Sequence, residues 1–316
     1  MGKLWGFGTS AIDFRIITAD YGVNYRDKLL AQQTLCMGGG AVANCLVQVS
    51  RLGGKVGWIG KLGDDLLADK IICMLESEGI NCSYVIRDKE EFSPFNVAIY
   101  SGEQKRRVGG FLLPNSLAKV SDENINYFIS PMSSGDWLAI EIGEIPIEAC
   151  VRLAQKAKQR GVHIALDVDL DPIMQCQSTK EEIDKLLGCA DLLIPNINSL
   201  ATLFKENNPV SLCNELYEKY CVPVVITVGS DGVYYIDENG QYRHQPAMPV
   251  EVKDTVGAGD AFHGGLLYAI TEGKTLSDSV LLGTACAAIN CTAYGAREGM
   301  PNIKQVVKEI ELYGKL

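Results

Sequence analysis

Glycines and one aspartate crowd the segment Asp254-Thr255-Val256-Gly257-Ala258-Gly259-Asp260-Ala261-Phe262-His263-Gly264-Gly265, which runs into the apolar helical stretch Leu266–Ile270. Glycines just before a helix leave backbone N–H groups without acceptors and let an anion come close, while the helix dipole adds partial positive charge. The chemistry of such a helix start is phosphate binding. Asp260 falls in the first helical turn beside that cradle, where the helix N-terminus favours its ionised form. A carboxylate next to a phosphoryl site is an acceptor for a hydroxyl proton. A plainer account, a glycine-rich loop opening a packed helix with an aspartate as dipole complement, would be enough for an isolated G-x-G.

Composition narrows the partners. The chain has 316 residues, 47% apolar and 22% charged, a globular balance that fits one large α/β core with an appendage. Its net charge is −10, its pI is near 4.9, and its longest basic run is Lys105-Arg106-Arg107. A nucleic-acid surface would find no counter-charge, so a small-molecule partner is expected. Any phosphate site must then rely on local N–H groups, a metal ion or a few placed cations. The eleven cysteines form no C-x-x-C pair and sit in apolar segments such as Ile72-Cys73-Met74 and Ala285-Cys286-Ala287, which points to a reducing cytosol. No metal-ligand spacing occurs among them and the three histidines. No apolar run reaches the ~18 residues of a membrane helix. The N-terminus goes straight into Leu4-Trp5-Gly6-Phe7-Gly8 without a signal pattern, and Gly6 stands where a myristoylation motif wants Ser or Thr. A cytoplasmic protein with no membrane partner is expected.

Short apolar runs alternate with helical periods, the pattern of a parallel sheet covered by helices on both faces. Strands are expected at Leu4–Ala11, Val56–Lys61, Trp137–Ile142, His163–Val168, Leu192–Pro195, Val224–Val228 and Val233–Ile236, and helices at Asp64–Ser77, Ile147–Gln159, Thr179–Leu187, Leu212–Tyr220 and Ser277–Cys291. Several of these helices open on Ser, Thr or Asp and close on Gly. Ile16–Met37 and Phe92–Pro114 break the rhythm with extended patterns, the second turning at Ser101-Gly102-Glu103 between Val97–Tyr100 and Arg107–Leu112. They read as a small β appendage that could converge as a lid over the carboxyl ends of the main strands.

The segment from Asp254 to Phe262 closely resembles the carboxyl-terminal signature of the PfkB, or ribokinase-like, carbohydrate kinases, D-T-x-G-A-G-D-x-F. Gly39-Gly40-Ala41-Val42-Ala43-Asn44, with Ser50-Arg51-Leu52-Gly53 and Ile59-Gly60-Lys61-Leu62-Gly63-Asp64-Asp65, looks like the amino-terminal signature, and Thr227-Val228-Gly229-Ser230-Asp231-Gly232 is similar to the T-x-G-x-x-G loop. Gly8 through Asp13 and Glu144-Ile145-Pro146 resemble sugar-side segments. The resemblance implies a ribokinase-like three-layer α/β/α sandwich over residues 1–316 as a single domain, with a mostly parallel central sheet and a small β-strand lid at about 14–37 and 92–114. It implies ATP and Mg²⁺, a small sugar substrate, and dimerisation through the lid as an option. Position by position it places Asp13, Gly39, Gly40, Asn44 and Glu144 around the sugar, Asn196, Thr227, Gly229 and Gly232 at the nucleotide, Gly257, Ala258 and Gly259 in an anion hole, and Asp260 as the base. A carboxylate and an amide together suit a polyol. With that work given to Asp260, His263 reads as packed and hydrogen-bonded.

The pattern departs in places. Ala41 and Val42 stand where many members carry Lys and Gly, and Ala11 where an Asn often precedes the aspartate, so the sugar pocket is not that of a plain ribokinase. Pro195-Asn196-Ile197-Asn198-Ser199 matches P-N-x-x-E except that Ser199 replaces the glutamate associated with Mg²⁺ and phosphate handling, so metal recruitment could be weaker or organised through water. Asp167 and Asp169, at a strand end, could compensate, although such aspartates are commonly turn formers. Asp254, Val256, Asn290, Ala293 and Gly295 map near the family's monovalent-cation loop, which leaves K⁺ open, with Gly299 where a serine can occur. Gln245-Pro246-Ala247 and the stretch from Asn290 to Pro301 look closest to the branch containing sulfofructose kinase and related ketose kinases. Arg297 reads either as near the nucleotide or sugar or as a solvated charge. Lys105, Arg106 and Arg107 could meet an anionic substrate but read better as a solvated turn. Two other functions stay open: a nucleoside kinase of the same fold, using aromatics among Phe14, Tyr25, Phe92, Phe95 and Phe111, and a catalytically silent sugar-binding protein.

Overall fold

Alternation within single strands decides where the core lies. All of Leu4–Phe7 (β1) is buried, but Leu4 faces one apolar cluster while Trp5 and Phe7 face another. Trp137–Ile142 (β8) divides in the same way, Ala139 from Leu138, Ile140 and Ile142, and so does His163–Val168 (β9), Ala165 from Ile164, Leu166 and Val168. A strand apolar on both faces needs cover on both, hence a sheet between two helical layers. Helices Ala41–Leu52, Leu66–Ser77, Ala258–Thr271 and Leu276–Asn290 close the side that Leu4 faces, and helices Asp122–Ile129, Ile147–Gln159, Lys180–Leu187 and Pro209–Tyr220 close the other.

The computed structural model describes residues 2–18, 30–101, 106–112, 119–142, 145–168 and 178–314. Tyr25, Lys105, Glu144 and Asp169 lie outside the described residues. The remaining strands are Ala11–Thr18 (β2), Ala31–Gly39 (β3), Val56–Gly63 (β4), Asn81–Asp88 (β5), Phe95–Ser101 (β6), Arg106–Leu112 (β7), Leu192–Leu193 (β10), Val224–Thr227 (β11), Val233–Ile236 (β12) and Tyr242–Gln245 (β13). Among the described residues the main sheet has nine strands in the order β13-β12-β11-β10-β9-β8-β1-β4-β5. Every neighbouring pair from β5 to β11 is parallel, and β12 and β13 add an antiparallel edge. The chain leaves β1 toward β4 on one side and later returns to β8 on the other, so a switch point falls at β1. In open α/β sheets ligands collect in the crevice outside the carboxyl ends of the strands at such a point.

β3-β2-β6-β7 form a second, four-stranded sheet. Two expectations need correction here. Leu4–Ala11 is not one strand: β1 stops at Phe7, and Ala11 already opens β2. The small sheet also takes in residues outside 14–37, its described strands there being Ala11–Thr18 and Ala31–Gly39, so Asp13 and Gly39 belong to it. β5 was not legible as a strand at all.

Helix caps follow the sequence signals. Thr179 and Glu182 make a capping box on helix Lys180–Leu187, and Asp65 accepts from the Ala68 amide at 2.8 Å to open helix Leu66–Ser77. One glycine matters for the site. A Cβ on Gly264 would lie 2.6 Å from the Cys45 carbonyl oxygen, so glycine there lets helix Ala258–Thr271 close on helix Ala41–Leu52. That approach brings Asn44 to Asp260.

Candidate active site

Helix Ala258–Thr271 starts at Gly257, whose φ of 75° is left-handed and which no side chain caps. A side chain at Gly257 would strike the Ala296 carbonyl, so glycine is required twice over. Ala261 N–H donates to Gly257 O at 2.9 Å as the first helical bond, and Ala258 N–H turns back on Thr255 O at 3.2 Å. Of the three expected anion-hole positions, Ala258 therefore already has an acceptor within its own loop. The amides of Gly259 and Asp260 precede the helical ladder and emerge at the N-terminal end. Apart from the helix's own backbone, no described residue comes within 4 Å of where a Gly259 Cβ would stand, so this end is open.

Asp260 Oδ2 accepts from Asn44 Nδ2 at 2.6 Å. Asn44 Oδ1 accepts from Arg297 Nε, and Arg297 Nη2 donates to Gly39 O at 3.0 Å. The Arg297 carbonyl accepts from Arg51, which pairs through two N–H groups with Glu78 at 2.7 and 3.0 Å. Arg297 is 7% exposed, which settles its role against the solvated reading. Burial pulls its guanidinium below the usual arginine value, and the carboxylates of Asp13, Asp260, Glu78 and Glu298 pull it back. Hydrogen bonds from Arg51 hold the Glu78 carboxyl below the ordinary range. Burial, and then the charges of Asp260, Asp167 and Glu141, push the neighbouring Cys45 thiol well up, which keeps it neutral.

The small sheet supplies the facing wall. Asp13 Oδ1 accepts from Asn96 Nδ2 at 2.8 Å. A Cβ on Gly39 would run into the Asp13 carboxylate and one on Gly38 into the Arg297 guanidinium, so the paired glycines clear space for two charged side chains. Gly40 follows with φ 92° and hands the chain to helix Ala41–Leu52. Asp13, Arg15, Asn96 and Tyr100 line a cavity that the loops at Asp254 and Gly295 close from the other side. Of the expected aromatics Phe14 also borders it, edge-on to Phe95 at 5.9 Å, while Phe92 and Phe111 are exposed. On helix Ala258–Thr271 itself, His263 is buried with Nδ1 3.0 Å from Asp167 Oδ2, packed and hydrogen-bonded as expected.

Asn196, past the carboxyl end of β10, and Thr227, the last residue of β11, are joined by a backbone bridge. Gly229 and Gly232 have φ of 52° and 98° around a short 3₁₀ turn that leaves this edge of the sheet. Ser199 is buried, and its N–H and hydroxyl both bond Asn196 Oδ1, at 2.9 and 3.1 Å, closing the N-terminus of helix Ile197–Phe204. Among the described residues no group of three His, Cys, Asp or Glu could hold a metal ion. No helix among them is long and apolar enough to cross a membrane. The five positions mapped to a monovalent-cation loop are neighbours: Asp254 accepts from the Val256 and Gly295 amides at 3.2 and 3.1 Å, Asn290 Nδ2 donates to Val256 O at 3.2 Å, and Ala293 N–H donates to Asn290 O at 3.2 Å.

Known proteins resemble most of this chain. The family model for pfkB family carbohydrate kinases matches residues 1–303. Aminoimidazole riboside kinase of Salmonella typhimurium is 27% identical over 312 residues, covering 95% of this chain and 92% of the relative. Fructokinase of Klebsiella pneumoniae is 27% identical over 313 residues, covering 95% and 96%. The solved structure of Arabidopsis thaliana ribokinase, complexed with ribose and ATP, matches with a TM-score of 0.83 at 22% identity, over 98% of this chain and 99% of that one. The three-layer α/β/α architecture is thus the ribokinase-like fold.

Proposed function

Because the chain belongs to the pfkB family of carbohydrate kinases and is an ATP-dependent enzyme of that class, we propose that it transfers the γ-phosphoryl group of ATP in line to a hydroxyl of a small sugar or sugar derivative, with Asp260 as general base. The observation that carries this reading is the Asp260–Asn44 contact of 2.6 Å at an uncapped helix start. The amide donor and the helix N-terminus both favour the carboxylate form, and the same turn exposes amides to a transferring phosphoryl group. Asp260 takes the hydroxyl proton as the sugar oxygen bonds to phosphorus and the bond to ADP breaks. Asp13, Gly39 and Asn44, with Glu144 outside the described residues, hold the sugar. Asn196, Thr227, Gly229 and Gly232 hold the nucleotide. The small sheet acts as a lid on a single kinase domain and limits loss of the phosphoryl group to water.

Mg²⁺ supplies charge neutralisation on the phosphates when bound. With no carboxylate cluster among the described residues, it would arrive on ATP and meet this chain through water near Asn196 and Ser199. For K⁺ the residues fit better: Asn290 Oδ1 is buried without a hydrogen-bond donor, the oxygen that a cation beside Asp254, Val256, Ala293 and Gly295 would take. The chain is proposed to work in the cytoplasm, and the exposed strand stretch from Ala31 to Thr34 offers a face for dimerisation through the lid. A nucleoside substrate is the weaker reading, since the Tyr100 ring that could stack a base already lies under Arg15 at 4.0 Å. ADP release measured on a panel of sugars and nucleosides, with Asp260→Asn alongside, tests the assignment. Release with a sugar that is lost in the variant is expected, whereas binding without turnover across the panel would leave a silent sugar-binding protein.

A further inference from the structure

β2 and β6 run side by side with Asp13 opposite Asn96, Arg15 opposite Ala98 and Ile17 opposite Tyr100. Side chains two apart on a strand share a face, so Asp13 and Arg15 look into the cavity together with Asn96, Ala98 and Tyr100. Their partners differ. Asp13 accepts from Asn96 at 2.8 Å, whereas among the described residues the Arg15 side chain donates no hydrogen bond. Its Nε is buried without an acceptor, and its Nη1 stands 3.7 Å from Asp254 Oδ2, too far for a hydrogen bond. The Asp254 carboxylate is turned instead to the amides of Val256 and Gly295 at 3.2 and 3.1 Å. The Tyr100 ring, 4.0 Å from the guanidinium carbon, fixes the plane of the fork.

A buried N–H without an acceptor is costly, and a planar guanidinium held by an aromatic ring matches two oxygens of one anion better than a scattered set of hydroxyls. Two strand residues span about 6.6 Å, roughly the length of an extended six-carbon chain. Asp13 can therefore hold hydroxyls at one end of a sugar chain while Arg15 meets the other end.

We propose that Arg15 is a specificity-determining residue and that the substrate is an anionic sugar, carrying a carboxylate or a phosphate remote from the hydroxyls that Asp13 holds. This deepens the kinase reading and rests on it for turnover, but its binding component can be measured without ATP. Calorimetric binding and ADP release are compared for pentoses and hexoses, their aldonates and 2-ketoaldonates, and their terminal phosphates. At least one anionic member should exceed its neutral counterpart tenfold or more in affinity and in kcat/KM, and whichever set does so identifies the anion. Arg15→Met, which keeps the stem, should remove that preference and leave the neutral counterpart within about twofold; Arg15→Lys should retain part of it. Equal binding of neutral and charged members, or an equal loss for both in Arg15→Met with Arg15→Lys no better, overturns the proposal. An anion preference in binding that depends on Arg15, with no turnover of any sugar, would sustain it and defeat the kinase reading instead.

Discussion

On the helical wall of the site polar atoms satisfy one another. Asp260 meets Asn44, Asn44 meets Arg297, and Arg297 meets Gly39 O and is braced from behind by Arg51 and Glu78. On the small-sheet wall Asp13 has Asn96, but the Arg15 side chain has, among the described residues, only a long ion pair and the Tyr100 ring. Both walls carry an arginine, and the two are spent differently. Arg297 orients other protein groups, while Arg15 keeps its donors for a ligand. Groups that act on developing charge gain from being fixed in advance, whereas discrimination between substrates comes from groups that a wrong ligand leaves unpaired. In the proposed reading, helices from the main core hold the base and the appended sheet reads the substrate.

Asp260→Asn puts the greatest strain on this contrast. The change keeps size and hydrogen bonding but removes the proton acceptor, so kcat should fall by about 10²–10⁴. The Gly257 turn and the amides behind it are untouched, so ATP binding and folding stay near wild type. Rapid-quench measurement of the chemical step checks this, and a variant that keeps most of that rate would end the assignment of Asp260.

Asp13→Ala tests the other wall. It removes a charged hydrogen-bond acceptor for sugar hydroxyls, a loss of about 1.5–3 kcal/mol, or about 10–100-fold in the sugar KM. The KM for ATP should not move, and a change confined to ATP would contradict the placement. Arg297→Met is expected to act in the opposite currency. With Asn44 Oδ1 and Gly39 O left without their donor, urea denaturation should show a loss of about 1–3 kcal/mol. The kcat should fall about tenfold as Asn44 loses its orientation, with a smaller effect on the sugar KM. If Arg297→Met shifted only the sugar KM, the two walls would not divide the labour in this way.

The sequence made the start of helix Ala258–Thr271 legible because glycines, a dipole-complementing acid and an apolar run lie within a single short segment. Caps such as Thr179 with Glu182 were legible for the same reason: partners three residues apart announce themselves. Arg297, Asn96, Arg15 and Tyr100 were not. Arg15 meets Tyr100 only through the parallel pairing of β2 with β6, segments separated by some eighty residues, and no local pattern records that register. Arg297 sits in a short loop whose composition left two readings open, near the nucleotide or sugar or solvated, and only its burial decides between them. The break between β1 and β2 falls at Gly8-Thr9-Ser10, small residues that stay buried, and the single run from Leu4 to Ala11 reads straight across it.

The smallest expected effect concerns Ser199. At present its N–H and hydroxyl both serve Asn196 Oδ1, and no acidic residue lies in the first turn of helix Ile197–Phe204. A glutamate at this third helical position has two courses. It can fold back toward the backbone N–H of Asn196 as a capping box, or extend from the carboxyl edge of the sheet and hold the water shell of a metal on the phosphates. Folding back would raise stability by about 0.3–1 kcal/mol through the helix dipole and leave metal dependence alone. Extension would lower the Mg²⁺ concentration for half-maximal rate, by about two- to fivefold if the added carboxylate contributes roughly 0.4–1 kcal/mol through water. We expect extension for Ser199→Glu, because the Asn196 N–H already faces the Val168 carbonyl at 3.5 Å across the strand ends and Asn196 caps the helix from its own side chain. Rates titrated with Mg²⁺ at fixed ATP distinguish the courses. An unchanged midpoint with a raised melting temperature would show that this turn serves the helix and that metal handling lies elsewhere.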